Sequence, residues 1–353
     1  MFALMQQSRA ESLHVFCDPH VGLKAVIVIH SSRKGPALGG CRYLTYSDEE
    51  SAIEDAVLLA RQMSYKSALA GLALGGAKAV IMRSALVPDR AALFESFARC
   101  VESLEGRYIT AVDCGTCSAD MDCIARYTRH VTSTTQQGDP SISTALGIFT
   151  GIRATAMARL GSDNLEGLRV AIQGLGRVGY PLAEQLHAAG AELLVSDLDS
   201  DKVQLAVERF NAHPVACEAL MSTPCDILAP CGFGRVLNTS SVAQLRCAAV
   251  AGGANNQLSS LQVADQLEAR GILYAPDYVI NSGGLIQVAL GHQGEDSATI
   301  NAQLSRIGVR LTEVYACAQA QKRSPARVAD TLAERLLDAD QGFVSAFTNS
   351  GVT

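Results

Sequence analysis

The sequence predicts an α/β protein of two domains, the second built as a doubly wound parallel sheet. Three observations carry this. The chain has 353 residues, which at roughly 100–200 residues per domain is two domains. Short apolar segments alternate with helical ones through its second half, the pattern of strands joined by helical crossovers. A Gly-x-Gly-x-x-Gly run, GLGRVG at 174–179, stands between an apolar strand and a helical stretch.

The elements follow in order. GLKAVIVIH (22–30) reads as a strand. Ser47 and Glu50 form an S-x-x-E capping box. The helix they start carries Ile53, Ala56, Val57, Ala60 and Met63 on one face and ends near Tyr65-Lys66. A small-residue loop, AGLALGG, leads into the strand AKAVIM. A second helix runs from Asp89 to about Leu104, with Leu93, Phe97, Val101 and Leu104 in phase. A new unit starts near Asp139-Pro140. LRVAIQ (168–173), the glycine turn, a helix to about Ala189 and AELLVSD (191–197) make one strand–helix–strand unit. CDILAPC (225–231), AAVAGGA (248–254) and ILYAPD (272–277) are further short strands, and the chain from about Leu304 is helical.

Composition excludes several classes. Hydrophobic residues make up 48% and charged residues 18%, enough apolar material for packed cores. The net charge is −6, and no basic run is interleaved with aromatics, so no nucleic-acid partner is expected. No apolar run reaches the ~18–20 residues of a membrane span. MFALMQQSRAES lacks a basic region before an apolar one, so the expected location is cytoplasmic. The eleven cysteines are an odd number without an export signal. They are expected as reduced thiols in packed positions.

The glycine run has the context that makes it informative. Gly174 allows the tight turn, Gly176 lets backbone approach a pyrophosphate, and Gly179 lets helix and strand pack closely. The helix N-terminus, with Leu175, Arg177 and Val178 leading into it, offers free N–H groups to phosphates. Asp197 closes the next strand, where a carboxylate accepts hydrogen bonds from the adenosine ribose and, with Asp199, repels a 2′-phosphate. The expected cofactor is therefore NAD, with Lys202 as the counter-signal for NADP.

Two lysines sit among small and apolar residues: Lys66 in QMSYKSA and Lys78 in LGGAKAV. A charge there needs a partner. A substrate carboxylate is one, and snorkelling to water is the alternative.

With GPALGGCR (35–42), SAIEDAVLLARQMSYKSALAGLALGGAKAVI (51–81), AVDCGT (111–116), NLEGLRVAIQGLGRVGY (164–180), DILAPCGFG (226–234), AGGANNQL (251–258) and YAPDYVINSGG (274–284), the chain resembles the glutamate/leucine/phenylalanine/valine dehydrogenase family. It is most like the leucine-acting members. The resemblance implies NAD-dependent reversible oxidative deamination of an L-amino acid to a 2-oxo acid and ammonia. It assigns Lys66 to the substrate α-carboxylate, Lys78 to catalysis, Asp113 to protons on the substrate nitrogen, and the backbone at Gly39 and Gly40 to substrate contact. It places Met63, Leu38, Ala111, Leu285 and Val288 in the side-chain pocket, and Ala229 and Asn255 at the cofactor. Burial and a second cation, Lys66, would both favour the neutral Lys78 amine that a base requires.

Glutamate enzymes carry a lysine where this sequence has Leu38, and leaving a γ-carboxylate there unpaired would cost several kcal/mol. A branched-chain substrate (leucine, valine, isoleucine) is expected first, and an aromatic one (phenylalanine, tryptophan) second. Departures from the family pattern are Val112 before Asp113, Cys114 and Cys117, Ser282, and Leu290-Gly291. Two readings from other classes are weighed. One is a non-catalytic NAD-binding regulatory protein, disfavoured because all three catalytic groups are present. The other is a thiol redox protein built on Cys114-x-x-Cys117, with both thiols otherwise small fillers. No second ligand pair accompanies them, so no metal is expected.

Architecturally, the expectation is a substrate-binding, catalytic and oligomerisation domain at 1–135, joined by the tail from about 326–353, and a Rossmann-type NAD domain at 136–325. The active site would lie in a cleft between them, in a homo-oligomer, dimer or octamer, acting on small molecules.

Overall fold

The computed structural model describes residues 1–84, 89–232 and 234–339. The chain forms two compact units. The first comprises 1–139, 288–294 and 333 onward; the second comprises 140–287 and 295–332. The crossings thus fall a few residues after those expected at 135 and 325. A short return at 288–294 was not anticipated, and the expected tail beyond 339 lies outside the described residues.

The first unit holds β1 (Ser12–Asp18), β2 (Leu23–Ser31), β3 (Ala37–Leu44), β4 (Gly75–Met82) and β5 (Tyr108–Val112), with α1 (Phe2–Ser8), α2 (Glu49–Leu69), α3 (Arg90–Glu102) and α4 (Ser118–Ile124). Its sheet runs β1-β2-β4-β3-β5. β4, β3 and β5 are mutually parallel, and β1 and β2 are antiparallel additions. Strand alternation sorts the side chains. Val26, Val28 and Val80 meet Ala52, Ala56, Val57 and Ala60 of α2 on one face. Ala25, Ile27, Ala77, Ala79 and Ile81 meet Leu93, Phe94 and Phe97 of α3 on the other. Each fully buried Leu, Ile or Phe there contributes about 1.5–3 kcal/mol.

Two local expectations are corrected. The cap of α2 is Asp48, not Ser47. The Asp48 carboxylate accepts the Ser51 N–H at 2.7 Å, while the Ser47 hydroxyl donates to the other carboxylate oxygen at 2.9 Å. A carboxylate at a helix N-terminus is the stronger acceptor, so the hydroxyl supports the cap instead of forming it. The helix also runs on to Leu69, one turn past Tyr65-Lys66, because Ser67, Ala68 and Leu69 are buried.

The second unit contains α5 (Ser141–Leu160), β6 (Arg169–Gln173), α6 (Gly179–Ala188), β7 (Glu192–Ser196), α7 (Ser200–Phe210), β8 (His213–Pro214), β9 (Ile227–Pro230), α8 (Thr239–Gln244), β10 (Ala249–Val250), α9 (Leu261–Ala269), β11 (Leu273–Tyr274), α10 (Asp277–Ile280), and α12 (Ser297–Gln321). Between the last two lies α11 (Gly283–His292), and α13 (Pro325–Asp338) closes the described chain; both run across a unit boundary. The sheet order β11-β10-β9-β6-β7-β8 is all parallel. It reverses direction between β6 and β9, where doubly wound sheets bind ligands at the carboxyl ends of their strands. Among the described residues no helix is long and apolar enough to cross a membrane.

Candidate active site

The first site grows from three adjacent parallel strands. Leu38 pairs with Gly76 and with Ile109, and Gly40 pairs with Ala111. By alternation, Leu38, Gly40, Arg42, Gly76, Lys78, Ala111 and Asp113 share one face, the face on which α2 packs. Lys78 is 5% exposed, and its Nζ lies 2.7 Å from Asp113 Oδ2.

Gly40 makes this contact sterically admissible. A Cβ on Gly40 would lie 2.7 Å from Val112 O, 2.8 Å from Asp113 Cβ and 3.4 Å from Lys78 Nζ. One on Gly39 would sit 1.7 Å from Ala77 O. The D-x-G-T segment is equally determined. The Asp113 N–H donates to Thr116 Oγ1 at 2.8 Å, and that oxygen lies 2.9 Å from Cys41 O. Gly115 takes φ +84°, and a Cβ there would meet Tyr43 O at 2.0 Å. The loop is thereby tied to β3 and fixes the Asp113 side chain.

Burial alone would push the Asp113 carboxyl up. The Lys78 ammonium and the Arg42 guanidinium outweigh it and hold the group well below the usual carboxylate range. Arg42 Nε lies 2.9 Å from Asp113 Oδ2, and its Nη1 lies 2.9 Å from Asp55 Oδ2. Tyr46 donates its hydroxyl to the same Asp55 oxygen at 2.6 Å.

The other predicted substrate residues occupy two places. Leu38 and Ala111 are buried on the shared face, and Met63 and Lys66 are half-buried near the end of α2. There the helix is pressed onto β4, since a Cβ on Gly76 would lie 2.0 Å from the Ser64 nitrogen. Leu285, buried, and Val288, half-buried, lie three residues apart on α11 and so share one of its faces.

The second site is a cleft of about 630 Å³ at the carboxyl ends of β6, β7 and β9. Gln173, Gly174, Gly176, Asp197, Leu198 and Gly232 are among the residues that line it. Gly174 has φ +91°, and a Cβ on Gly179 would stand 1.9 Å from Gly174 O, so both are required by the turn itself. Gly176 differs: a Cβ there would meet nothing within 4 Å. The protein's own packing does not require that glycine, whereas a pyrophosphate lying on the backbone does. Asp197 follows β7 and lines the cleft. Its Oδ2 accepts the Leu175 N–H at 2.6 Å and its Oδ1 the Asp199 N–H at 2.9 Å. Lys202 is paired with Asp199 at 3.2 Å. Arg177 is exposed and Val178 is the residue before α6. These residues fit a dinucleotide.

Asn255 is exposed, and its Oδ1 accepts from Asn281 Nδ2 at 2.8 Å. Ala229 is corrected: its side chain has no exposed surface. It lies mid-strand against Ile172, and Cys231, Gly232 and Gly234 line that side of the cleft instead. Cys114 and Cys117 are corrected too. Both are exposed, as are Cys17 and Cys217, so they are not core fillers. They sit in the loop that carries Asp113, where backbone hydrogen bonds set the path and packing leaves the thiols outside. Among the described residues no cluster of His, Cys, Asp or Glu could hold a metal ion.

Residues 12–130 match the profile of the Glu/Leu/Phe/Val dehydrogenase dimerisation domain. Residues 198–335 match that of the Glutamate/Leucine/Phenylalanine/Valine dehydrogenase. The sequence is 42% identical to the leucine dehydrogenase of Bacillus subtilis strain 168 over 99% of this chain and 98% of that protein. It is 43% identical to the valine dehydrogenase of Streptomyces virginiae over 92% and 93%, respectively. The chain belongs to the glutamate/leucine/phenylalanine/valine dehydrogenase family. Its fold agrees with that of a family neighbour, the crystal structure of L-tryptophan dehydrogenase from Nostoc punctiforme. That comparison gives a TM-score of 0.86 and 36% identity, covering 96% of this chain and 99% of the other.

This amino-acid dehydrogenase brings Lys78, Asp113 and Gly40 together, and carries Gly174, Gly176 and Asp197 at one cleft. Sequence reasoning missed Arg42, Asp55 and Tyr46. Arg42 did leave a signal, because it lies two residues after Gly40 in a strand and so on the same face. Asp55 left none, since its pairing depends on how α2 lies across the sheet.

Proposed function

We propose that this dehydrogenase catalyses the NAD-dependent, reversible oxidative deamination of a branched-chain L-amino acid, leucine, valine or isoleucine, to its 2-oxo acid and ammonia. The observation that carries the reading is the Lys78–Asp113 pair, 2.7 Å apart beside Gly40, which has no side chain to come between them.

In this reading Lys66 holds the α-carboxylate. Asp113, kept ionised by its cationic neighbours, accepts hydrogen bonds from the substrate nitrogen and exchanges protons with it. The bound nicotinamide supplies a hydride acceptor for the α-carbon. Lys78 as free amine takes the proton of the water that attacks the resulting substrate iminium. As ammonium it stabilises the carbinolamine oxygen before ammonia leaves.

The side-chain preference rests on the apolar set Leu38, Met63, Ala111, Leu285 and Val288, and on relatives that act on leucine and valine. The L-tryptophan dehydrogenase neighbour supports an aromatic substrate as the second reading. NAD over NADP rests on Asp197 and Asp199, whose charges oppose a 2′-phosphate. A homodimer or larger assembly rests on the match of 12–130 to a dimerisation domain.

A panel of L-amino acids with NAD and with NADP, followed by reduced-cofactor absorbance at alkaline pH, tests all of this. The expected result is highest kcat/KM for leucine, valine or isoleucine with NAD. A preference for phenylalanine or tryptophan would move the substrate, a preference for NADP the cofactor. No turnover of any amino acid would overturn the reading.

A further inference from the structure

Asp113 receives two cations on one oxygen. Lys78 Nζ is 2.7 Å and Arg42 Nε 2.9 Å from Oδ2. Arg42 is not free to swing, since Asp55 Oδ2 takes its Nη1 at 2.9 Å and Tyr46 donates to that same Asp55 oxygen at 2.6 Å. A planar guanidinium bonded at both Nε and Nη1 is fixed in orientation as well as position. We propose that Arg42, braced by Asp55, is a positioning residue for Asp113: it pins Oδ2 and thereby leaves Oδ1 as the oxygen that meets the substrate nitrogen. The proposal rests on the dehydrogenase reading above and adds to it the split roles of the two carboxylate oxygens.

The charges around Asp113 bear on its titration. Facing Asp113 are Lys78 from β4 and Arg42 from β3, while Cys41 of β3 points to the opposite face of the sheet. Burial and the Asp113 charge push the Cys41 thiol well up, so it stays neutral. Beyond Arg42 stand Asp55 of α2 and Tyr46, whose phenol is pushed up by burial and by Asp55. Lys66 lies on the same helix, about three turns after Asp55. Within the directly paired set, Lys78 and Arg42 balance Asp113 and Asp55. Removing Arg42 leaves Asp113 with Lys78 as its only close cation among the groups named. The Asp113 carboxyl, which the Arg42 guanidinium helps to hold down, then rises towards the ordinary carboxylate range.

A purely structural β3–α2 ion pair would cost stability without moving a pH profile. The test is therefore kinetic. For Arg42→Met, kcat for L-leucine oxidation is expected to fall about 10²-fold, with KM changed much less. The low-pH limb of kcat/KM, which needs Asp113 ionised, should move up. Arg42→Lys, which keeps the charge but not the fork, should fall between. Added guanidinium ion should restore part of the Arg42→Met rate. Asp55→Asn keeps the guanidinium and loses its brace, and should lose rate in the same direction even if Arg42→Met proves unstable. In an Asp113→Asn background, Arg42→Met should add little further loss, since both act through one carboxylate. An active wild type combined with an unmoved pH profile, or with fully additive losses in that double variant, would overturn the proposal alone. A wild type inactive on every amino acid would overturn the dehydrogenase reading and this inference with it.

Discussion

Lys78 on β4 reaches across β3 to Asp113 at the end of β5, ammonium to carboxylate at 2.7 Å, over Gly40. The two groups belong to strands that are not neighbours, and the missing side chain between them is what lets them meet. A Cβ on Gly40 would lie 2.8 Å from Asp113 Cβ, closer than real contacts allow.

Gly40→Ala should therefore displace Asp113 more than it damages the fold. The expected cost is about 1–3 kcal/mol of stability, as for overpacking elsewhere, with roughly a 10²-fold loss in kcat from misplacement near the reacting atoms. Steady-state kinetics beside a urea melt check this. A variant as active as wild type would show that the pair tolerates a shifted Asp113.

Cofactor choice should respond to Asp199. Its side chain caps α7 through the Asp201 N–H at 3.1 Å and holds Lys202 at 3.2 Å. Asp199→Asn keeps the cap, because asparagine caps as well as aspartate. It also removes a negative charge and releases Lys202 towards a 2′-phosphate. The NADP/NAD ratio of kcat/KM should rise roughly tenfold, the scale of one charge-assisted hydrogen bond. An unchanged ratio would place Lys202 outside cofactor discrimination.

His30 sets a pH dependence of stability. Burial, with Arg61 and Arg9 nearby, lowers its pKa from 6.5 to about 4, and its Nε2 lies 3.0 Å from Ser8 O. The unfolded chain binds the proton more readily. The stabilising effect of the neutral ring is thus fully present above about pH 6.5 and is lost as pH falls towards 4. Between pH 7 and 5 wild type should lose on the order of 1–2 kcal/mol more than His30→Gln, which cannot titrate. Urea midpoints of both proteins at the two pH values give the comparison, and parallel losses would refute it.

How much could be read from residues alone differs between the sites. The β6–α6–β7 unit was legible because its glycines, apolar strands and Asp197 are local and fall within thirty residues. Lys78 and Asp113 were legible through motif resemblance. β1 was not: SLHVFCD is an edge strand, half-buried and mixed in character. α5 was not either. SISTALGIFTGIRATAMARL carries two glycines and several β-branched residues, which local propensity disfavours in a helix. Ser47 misled because a good capping box lay one residue from a better acceptor. Cys114 and Cys117 misled because their burial depends on where the loop runs, not on residue type.

The most direct measurement is kcat for NAD-dependent oxidation of L-leucine by wild type and by Lys78→Met, a near-isosteric change that removes the charge. The account predicts clear turnover by wild type. For the variant it predicts a loss of about 10²–10⁴-fold, the range for removing a general base, with L-leucine still bound through Lys66. A Lys78→Met enzyme that turns over at close to the wild-type rate would contradict it.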